Sequence, residues 1–355
     1  MRIVSAFSRV EAMGLSRPYT IAFRRIESVE NVILRLETDD GRVGFGAASP
    51  ESKVTGETIE ASRQALLEER LAWLVGRDPA EVEALCRQAR ERMSETPAAM
   101  AAVDAALHDL AAQKLGIPVV EMLGRAQDAL PTSITIGIKP VEETLEEADE
   151  YVARGFRILK VKIGLDLEED LRRLSRLRER VGGGIGIRAD ANQGYSAEET
   201  RRFFRETEGL GLEFVEQPIK AGEVETMRGL PEEIRDRIAA DESLLDDEDA
   251  SRLARQPRAC GVFNVKLMKC GGIAAARRIA TIAGRSRIDL LWGCNDESII
   301  SIAAALHAAL SCPQTRYLDL DGSLDLARDV VEGGFLLEDG MLRTTGDPGL
   351  GVRGS

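Results

Sequence analysis

The chain has 355 residues, of which 44% are hydrophobic and 30% are charged, a composition typical of a globular protein with a sizeable core. Its net charge of −13 argues against nucleic acid or an anionic membrane surface as a partner. We expect no signal peptide and no membrane span, and the five cysteines without a C-x-x-C pair indicate reduced thiols and a cytoplasmic location.

The first third of the chain predicts a compact α+β unit over residues 1–125. Its first fifty residues read as strands around the turn sequence Asp39-Asp40-Gly41. Apolar residues at helical spacing then predict helices over residues 58–74 and 80–93, and an alanine-rich helix follows Pro97.

From Leu130 onward, short apolar runs alternate with charged helical stretches, which predicts eight strands, seven helices and a parallel sheet. A regular spacing of 25 to 28 residues between charged strand ends favours a (β/α) barrel over an open sheet. We expect this barrel over residues 126–323 and a glycine-rich tail, 324–355, that returns to the first unit. The predicted strands are SITIGI, FRILKVKI, IGIRADA, LEFVEQ, RIAADE, VFNVKL, IDLLWG and RYLDLD.

The histidines exclude several kinds of catalytic site. His108 and His307 each lie in an alanine- and leucine-rich helical context, where a structural role is the simpler interpretation. A Ser-His-Asp hydrolase, a histidine-rich zinc site and an H-E-x-x-H protease are therefore poorly supported. Acid–base chemistry in this chain would fall to lysine, aspartate or glutamate.

Charged side chains end consecutive predicted strands, where barrel enzymes place their active sites. Asp190, Glu216 and Asp241 come from three adjacent strands and should converge. Oxygen ligands without histidine or cysteine favour a hard cation, and Mg²⁺ is the usual one. The alternative is a salt-bridge cluster with nearby lysines.

Lysines lie on the strands before and after these carboxylates. Lys162 would lie on one side of a substrate bound to the cation, and Lys266 on the other. The nearby ammonium groups and a divalent cation should lower the pKa of each lysine toward that of a general base. One lysine would then remove a proton next to a carboxylate, and the other would return a proton to the opposite face of the enediolate. The alternative for either lysine is a structural ion pair.

Taken in order, these motifs resemble the muconate-lactonizing branch of the enolase superfamily over essentially the whole chain. The motifs are K-V-K, D-A-N, V-E-Q-P, A-D-E-S and K-L-M-K-C-G-G. The resemblance implies an α/β fold, a modified (β/α)₇β TIM-type barrel with an N-terminal α+β capping domain that the tail completes. It also implies that Asp190, Glu216 and Asp241 bind Mg²⁺, that Lys162 and Lys266 are the two bases, and that Lys160 helps to hold the substrate carboxylate.

The late motif R-Y-L-D-L-D-G resembles the dipeptide epimerases. In that family the D-x-D pair, here Asp319 and Asp321, binds the free α-ammonium group of a dipeptide. Two carboxylates on one strand face suit a cation. The alternative is that one of them serves only to cap a loop. N-acylated amino acids and muconate carry no ammonium group to bind there.

The resemblance to the family points to three residues that we expect to determine substrate preference. Asp296, after the seventh strand, would favour a cationic side chain, and the segment S-P-E-S-K-V-T-G-E supplies Glu51 as a loop carboxylate. Arg24 opposes this, because the aligned arginine meets an acidic side chain in Ala-Glu-type enzymes, unless Glu51 neutralises it. Asp296 could equally be a solvated loop residue.

The sequence therefore predicts an isomerase, a Mg²⁺-dependent epimerase of L,L-dipeptides that favours cationic or polar side chains. The alternatives are an L-Ala-D/L-Glu epimerase, an N-acylamino-acid racemase, an o-succinylbenzoate synthase, a muconate cycloisomerase and a binding protein without catalysis. The expected partner is a small dipeptide rather than nucleic acid or membrane, and a homo-oligomer stays open by analogy with the family.

Overall fold

The computed structural model describes residues 1–21 and 24–354, but not the side chains of residues 17–26. Its N-terminal part opens with an antiparallel sheet in the order β1-β2-β3, as the alternating pattern predicts. The second and third strands join at the predicted turn, where Gly41 has a φ of 85° that other residues rarely adopt. The strands are β1 (Ile3–Ile21), β2 (Arg24–Thr38) and β3 (Val43–Ala48).

Six helices follow this sheet among the described residues. They are α1 (Ser52–Thr55), α2 (Ile59–Ala65), α3 (Glu68–Leu71), α4 (Val82–Arg92), α5 (Pro97–Leu115) and α6 (Val119–Leu123). The single helix predicted over 58–74 is wrong, because it breaks between α2 and α3. Leu67 is extended there, and the hydroxyl of Ser8 donates to the carbonyl of Leu66 at 2.7 Å. A contact with β1 thus outweighs the local helical pattern.

Eight parallel strands form the predicted barrel, hydrogen-bonded in chain order. The backbone amide of Ser133 donates to the carbonyl of Leu318 at 3.1 Å, which brings the first and last of these strands together. A short strand, β4 (Leu130–Pro131), precedes them. The barrel strands are β5 (Ile134–Ile136), β6 (Ile158–Lys162), β7 (Gly186–Asp190), β8 (Leu212–Glu216), β9 (Ile238–Ala240), β10 (Val262–Val265), β11 (Asp289–Trp292) and β12 (Thr315–Leu318).

Helices fill the seven connections between these strands, and two connections hold two helices each rather than the one predicted. They are α7 (Val141–Ala153), α8 (Leu167–Val181), α9 (Ala197–Glu206), α10 (Val224–Arg228), α11 (Glu232–Arg235), α12 (Asp247–Ala254), α13 (Leu267–Cys270), α14 (Ile273–Ser286) and α15 (Ile299–Leu310). Pro231 separates α10 from α11, and Gly271 with a φ of 89° separates α13 from α14. Within the described part of the chain, no helix is both long and apolar enough to span a membrane.

The interior of the barrel is layered. Its lower part holds an apolar cluster that includes Phe214 and Tyr317. Arg188 lies over both rings, with its guanidinium carbon 5.4 Å and 5.0 Å from the two ring centroids, and pairs with Glu213 at 2.6 Å. This filled base leaves the space for polar chemistry at the carboxyl ends of the strands.

The tail contacts both the segment that precedes the barrel and the N-terminal unit. Its strands are β13 (Val331–Gly333), β14 (Phe335–Glu338), β15 (Met341–Thr344) and β16 (Val352–Gly354). Strand β15 pairs with β4, and β13 pairs with β16. The backbone amide of Leu350 donates to the buried carboxylate of Asp109 in α5 at 2.9 Å. The tail thus ends against the N-terminal helices, as predicted.

Helix α5 joins the N-terminal sheet to the barrel, and nearly all of its residues are buried. On one side the backbone of α5 lies so close to β3 that a Cβ at Gly46 would be 1.8 Å from the carbonyl oxygen of Ala102. On the other side Asp104 accepts hydrogen bonds from the amides of Ile273 (2.7 Å) and Ala274 (3.2 Å), and so caps α14. The barrel helices next to the site are therefore fixed by α5.

We expect Gly46→Ala to lower the free energy of unfolding by about 3 kcal/mol, because overpacking against rigid backbone forces the two elements apart. Gly137→Ala is the matched control, since a Cβ there meets no atom within 4 Å. Urea unfolding of both variants measures the difference. Equal stability of the two variants would contradict the close packing of α5 on β3.

Candidate active site

The three predicted carboxylates lie side by side at the carboxyl ends of their strands. Asp190 ends β7, Glu216 ends β8, and Asp241 directly follows β9. Asp190 and Glu216 are paired residues in the sheet, so their side chains project from adjacent positions. All three are at most 2% exposed, although burial of several like charges is costly without compensation.

Lys160 provides much of this compensation. Its ammonium nitrogen lies 3.1 Å from Asp190, 2.9 Å from Glu216 and 2.7 Å from Asp319, and the residue is 4% exposed. Burial would lower the pKa of Lys160, but the three carboxylates outweigh burial and hold the pKa well above its ordinary value. Lys160 is therefore a fixed positive charge at the centre of the cluster.

The two other predicted lysines lie at opposite ends of the row of carboxylates. The Lys162 ammonium nitrogen, on β6, lies 2.6 Å from Asp190 Oδ2 and 3.1 Å from Asn192 Oδ1. Lys266 follows β10, and its ammonium nitrogen lies 2.9 Å from Asp241 Oδ2. Strands β7, β8 and β9 separate the two lysines in the sheet. The structure thus brings together the residues that the sequence predicted to converge.

The carboxylates retain capacity for a cation. Burial and the charge of Asp190 raise the pKa of Glu216 to about 8, even with Lys160 beside it. Glu216 Oε2 accepts no hydrogen bond, since its contact with Lys160 is an ion pair without hydrogen-bond direction. A buried, unsatisfied carboxylate oxygen among oxygen donors fits a hard divalent ion such as Mg²⁺.

Nearby carboxylates dominate the electrostatics of Lys266. Burial lowers the pKa of Lys266, but Asp241 and Glu216 outweigh burial and hold the pKa above its usual value. Carboxylates within contact distance thus dominate over neighbouring ammonium groups. A lowered pKa, as general-base chemistry requires, therefore needs a further positive charge on these carboxylates.

The two aspartates of the D-x-D motif have different surroundings. Asp319 accepts hydrogen bonds from Lys160 at 2.7 Å and from the Ser133 hydroxyl at 2.6 Å. Asp321 accepts one from the backbone amide of Thr135 at 2.8 Å. Burial and the charge of Asp319 raise the pKa of Asp321 to about 7. Of the pair, Asp321 is the carboxylate that an added cation would stabilise more.

The predicted specificity residues lie where the N-terminal unit meets the loop after β11. Ser49 links the two, because its hydroxyl donates to the carbonyl of Asp296 at 2.9 Å and its own carbonyl accepts from Asn295 at 3.0 Å. Glu51 caps helix α1 by accepting from the backbone amide of Lys53 at 3.0 Å. The side chain of Arg24 lies outside the described residues, so its predicted role stays a prediction.

Comparisons with known proteins place this chain in a family. Residues 3–124 match the model of the mandelate racemase / muconate lactonizing enzyme N-terminal domain, and residues 143–354 match the enolase C-terminal domain-like model. The chain is 60% identical, over 99% of both chains, to the L-Lys-D/L-Arg epimerase of Methylococcus capsulatus. The chain belongs to the dipeptide epimerase family of the enolase superfamily.

Solved structures of other dipeptide epimerases match over nearly the whole fold. The Methylococcus capsulatus enzyme complexed with Mg and L-Arg-D-Lys superimposes with a TM-score of 0.97 at 60% identity, covering 99% of each chain. The substrate-liganded L-Ala-D/L-Glu epimerase of Bacillus subtilis gives 0.93 at 33% identity, covering 100% of this chain and 99% of that one. The predicted fold and family are thereby confirmed.

Asn264 shares its strand face with Lys266, so strand parity predicts that it points inward, but sequence reasoning missed three other polar residues of this candidate site. Asn264 donates to Glu216 Oε1 at 2.8 Å, and Gln217 accepts from the backbone amide of Asp241 at 3.0 Å. Lys269 contacts Asp241, and Glu297 is buried, with a pKa that burial raises to about 8. Gln217 and Lys269 lie within the quoted motifs, and Glu297 directly follows Asp296. Gln217, Lys269 and Glu297 lie outside the strands, so no strand parity could have signalled their positions.

We expect Lys160→Met to lower the free energy of unfolding by about 3–5 kcal/mol, because it strips three buried carboxylates of their shared cation. Lys162→Met is the matched control: its side chain is 32% exposed and we expect a loss of about 1 kcal/mol or less. Denaturant unfolding in buffer free of divalent cations measures both. Similar losses in the two variants would show that Lys160 does not hold the cluster together.

Proposed function

We propose that this protein is a Mg²⁺-dependent dipeptide epimerase that inverts the α-carbon of the C-terminal residue of L,L-dipeptides. The observation that carries the proposal is the row of Asp190, Glu216 and Asp241 with a lysine at each end. Inversion requires a proton to leave one face of a carbon and another to arrive at the opposite face. Two amines separated by a carboxylate-bound ion meet that requirement.

Asp190, Glu216 and Asp241 would hold the ion. Their oxygen-only chemistry and the unsatisfied Oε2 of Glu216 fit Mg²⁺. When bound, Mg²⁺ supplies positive charge that stabilises the negative charge developing on the substrate carboxylate and lowers the pKa of the neighbouring lysines. The 60% identical Methylococcus capsulatus enzyme was solved with Mg, which supports the same ion here.

Lys162 and Lys266 exchange roles with the direction of the reaction. The lysine that faces the α-proton removes this proton from the α-carbon. The other lysine then donates a proton to the opposite side of the same carbon. The side chain of Lys162 is 32% exposed and that of Lys266 is 12% exposed, whereas the side chain of Lys160, at 5%, is enclosed by carboxylates. The two more accessible amines are therefore the acid–base pair, and Lys160 helps to hold the substrate carboxylate.

The free ammonium group of the dipeptide would bind at Asp319 and Asp321. Lys160 and Ser133 already occupy Asp319, so Asp321 makes the main contact with the ammonium group. Asp321 is buried near Asp319, and an ammonium group would relieve the repulsion between them. An N-acylated substrate offers no such charge. This difference favours dipeptides over the racemase and cycloisomerase alternatives.

We infer a preference for cationic dipeptides. The carboxylates of Glu51 and Asp296 belong to two segments that meet through Ser49, and both would favour a positive side chain. The 60% identical relative from Methylococcus capsulatus is an L-Lys-D/L-Arg epimerase, which supports this preference. Acidic dipeptides of the Ala-Glu type would face repulsion from the same carboxylates.

Hydrogen exchange in D₂O tests the two-base assignment. With Mg²⁺ and L-Lys-L-Arg, we expect the wild-type protein to place deuterium at the α-carbon of the second residue and to form the L,D isomer. Lys162→Ala and Lys266→Ala should abolish inversion but still exchange the α-proton of one isomer each, and of opposite isomers. NMR follows both reactions, with Lys114→Ala on the surface as the control.

Inversion by either lysine variant at more than about a hundredth of the wild-type rate would contradict the assignment, because acid–base groups contribute about 10²–10⁴-fold. Exchange of the same isomer by both variants would place the two lysines on one side of the substrate. Absence of deuterium from every dipeptide tried with the wild-type protein would contradict the epimerase function itself.

A second experiment addresses side-chain preference. We expect Asp296→Asn to lower kcat/KM for L-Lys-L-Arg about tenfold, since loss of one charge pair costs about 1.4 kcal/mol. The value for L-Ala-L-Ala should change little. Glu51→Gln tests the second carboxylate, and Glu60→Gln, exposed on α2, is the control. An equal decrease in kcat/KM for both dipeptides would show that Asp296 does not determine the side-chain preference.

A further inference from the structure

The motif K-L-M-K carries two lysines with different environments. Lys266 precedes α13 and contacts Asp241 Oδ2 at 2.9 Å. Lys269 lies within α13 and is 5% exposed. Its ammonium nitrogen contacts Asp241 Oδ1, the backbone carbonyl of Asp241 at 2.6 Å and that of Asn264 at 3.0 Å. One aspartate is thus held by two lysines, one at each carboxylate oxygen.

These contacts assign the two lysines different tasks. A lysine ammonium has three hydrogen-bond donors and no acceptor. Lys269 has three acceptors in contact, so it retains no donor for a substrate and no path to a reacting carbon. Lys266 has one such contact and is more accessible. Lys266 therefore remains available for proton transfer, and Lys269 is committed to Asp241.

The hydrogen bonds of Lys269 to Asp241 fix the orientation of the Asp241 carboxylate. By holding both Oδ1 and the main-chain carbonyl of one residue, Lys269 restricts rotation of that side chain and leaves Oδ2 toward the cluster. Gln217 fixes the backbone from the other side, because its amide oxygen accepts from the amides of Asp241 (3.0 Å) and Ser243 (3.1 Å). Lys269 also contacts Asn264, whose side chain donates to Glu216 at 2.8 Å.

We propose that Lys269 is a positioning residue for the metal site: it holds Asp241 so that a single oxygen, Oδ2, is presented to the cation. This inference rests on the proposed function, because it assumes that Asp241 is a ligand. Lys269 makes no contact with the substrate and takes no part in proton transfer.

Positioning and simple charge neutralisation predict opposite effects on metal affinity. If Lys269 only balanced the charge of Asp241, its removal would leave the site more negative and would tighten Mg²⁺ binding. If Lys269 positions Asp241, its removal lets the carboxylate rotate and form other contacts, and Mg²⁺ binding weakens. The sign of the change therefore separates the two roles without any measurement of catalysis.

The experiment is a calorimetric titration of Mg²⁺ alone into the purified wild-type protein and variants. We expect Lys269→Met to weaken Mg²⁺ binding at least tenfold. Lys266→Met is the matched control, because it removes the same charge from the other oxygen of the same carboxylate. We expect this control to bind Mg²⁺ as tightly as the wild type or more tightly. Lys269→Gln, which keeps a hydrogen-bond donor without the charge, should fall between Lys269→Met and the wild type.

Circular dichroism and thermal melts accompany each titration to show that the variants are folded. Unchanged or tighter Mg²⁺ binding by folded Lys269→Met would overturn the positioning role while leaving the proposed function intact. Loss of the fold in both Lys269 variants would also overturn it, since Lys269 would then be a purely structural cation. Absence of Mg²⁺ binding by the wild-type protein would instead overturn the proposed function.

Discussion

The site depends on mutual neutralisation of buried carboxylates and ammonium groups at the ends of the barrel strands. Lys160 lies within 3.1 Å of Asp190, Glu216 and Asp319, all at most 4% exposed. Removing such charges from water costs several kcal/mol each unless opposite charges lie close by. Below this layer, Arg188 and aromatic rings close the barrel. Charge can therefore concentrate at one end of the barrel, where the proposed divalent ion and substrate carboxylate would meet complementary charges.

The N-terminal unit supports the same site through contacts that position helices and a loop of the barrel. Helix α5 packs so closely on β3 that only glycine fits at position 46, and its Asp104 caps α14. Ser49 donates its backbone amide to Met268 of α13 at 3.2 Å and its hydroxyl to the loop of Asp296. The position of the N-terminal unit is thus coupled to that of α13, which carries Lys269. The segments that carry the proposed specificity residues and the proposed metal site are therefore held by one set of contacts.

Much of this site could be predicted from the sequence, because strand ends in a barrel converge and because the period of two fixes which side chains point inward. Lys162, Asp190, Glu216, Asp241 and Lys266 follow directly from that rule. Lys269 and Gln217 do not, since both act after the strand has ended, where a short helix and a turn decide direction. The break near Leu67 and the roles of Ser49 depend on contacts distant in sequence, which no local pattern encodes.

The most direct test of the account is a crystal structure of this protein with Mg²⁺ and L-Lys-L-Arg. We expect one ion within about 2.1 Å of an oxygen of Asp190, Glu216 and Asp241. The Lys162 and Lys266 amines should lie on opposite sides of the α-carbon of the second residue. An ion bound elsewhere, or both amines on the same side of that carbon, would contradict it.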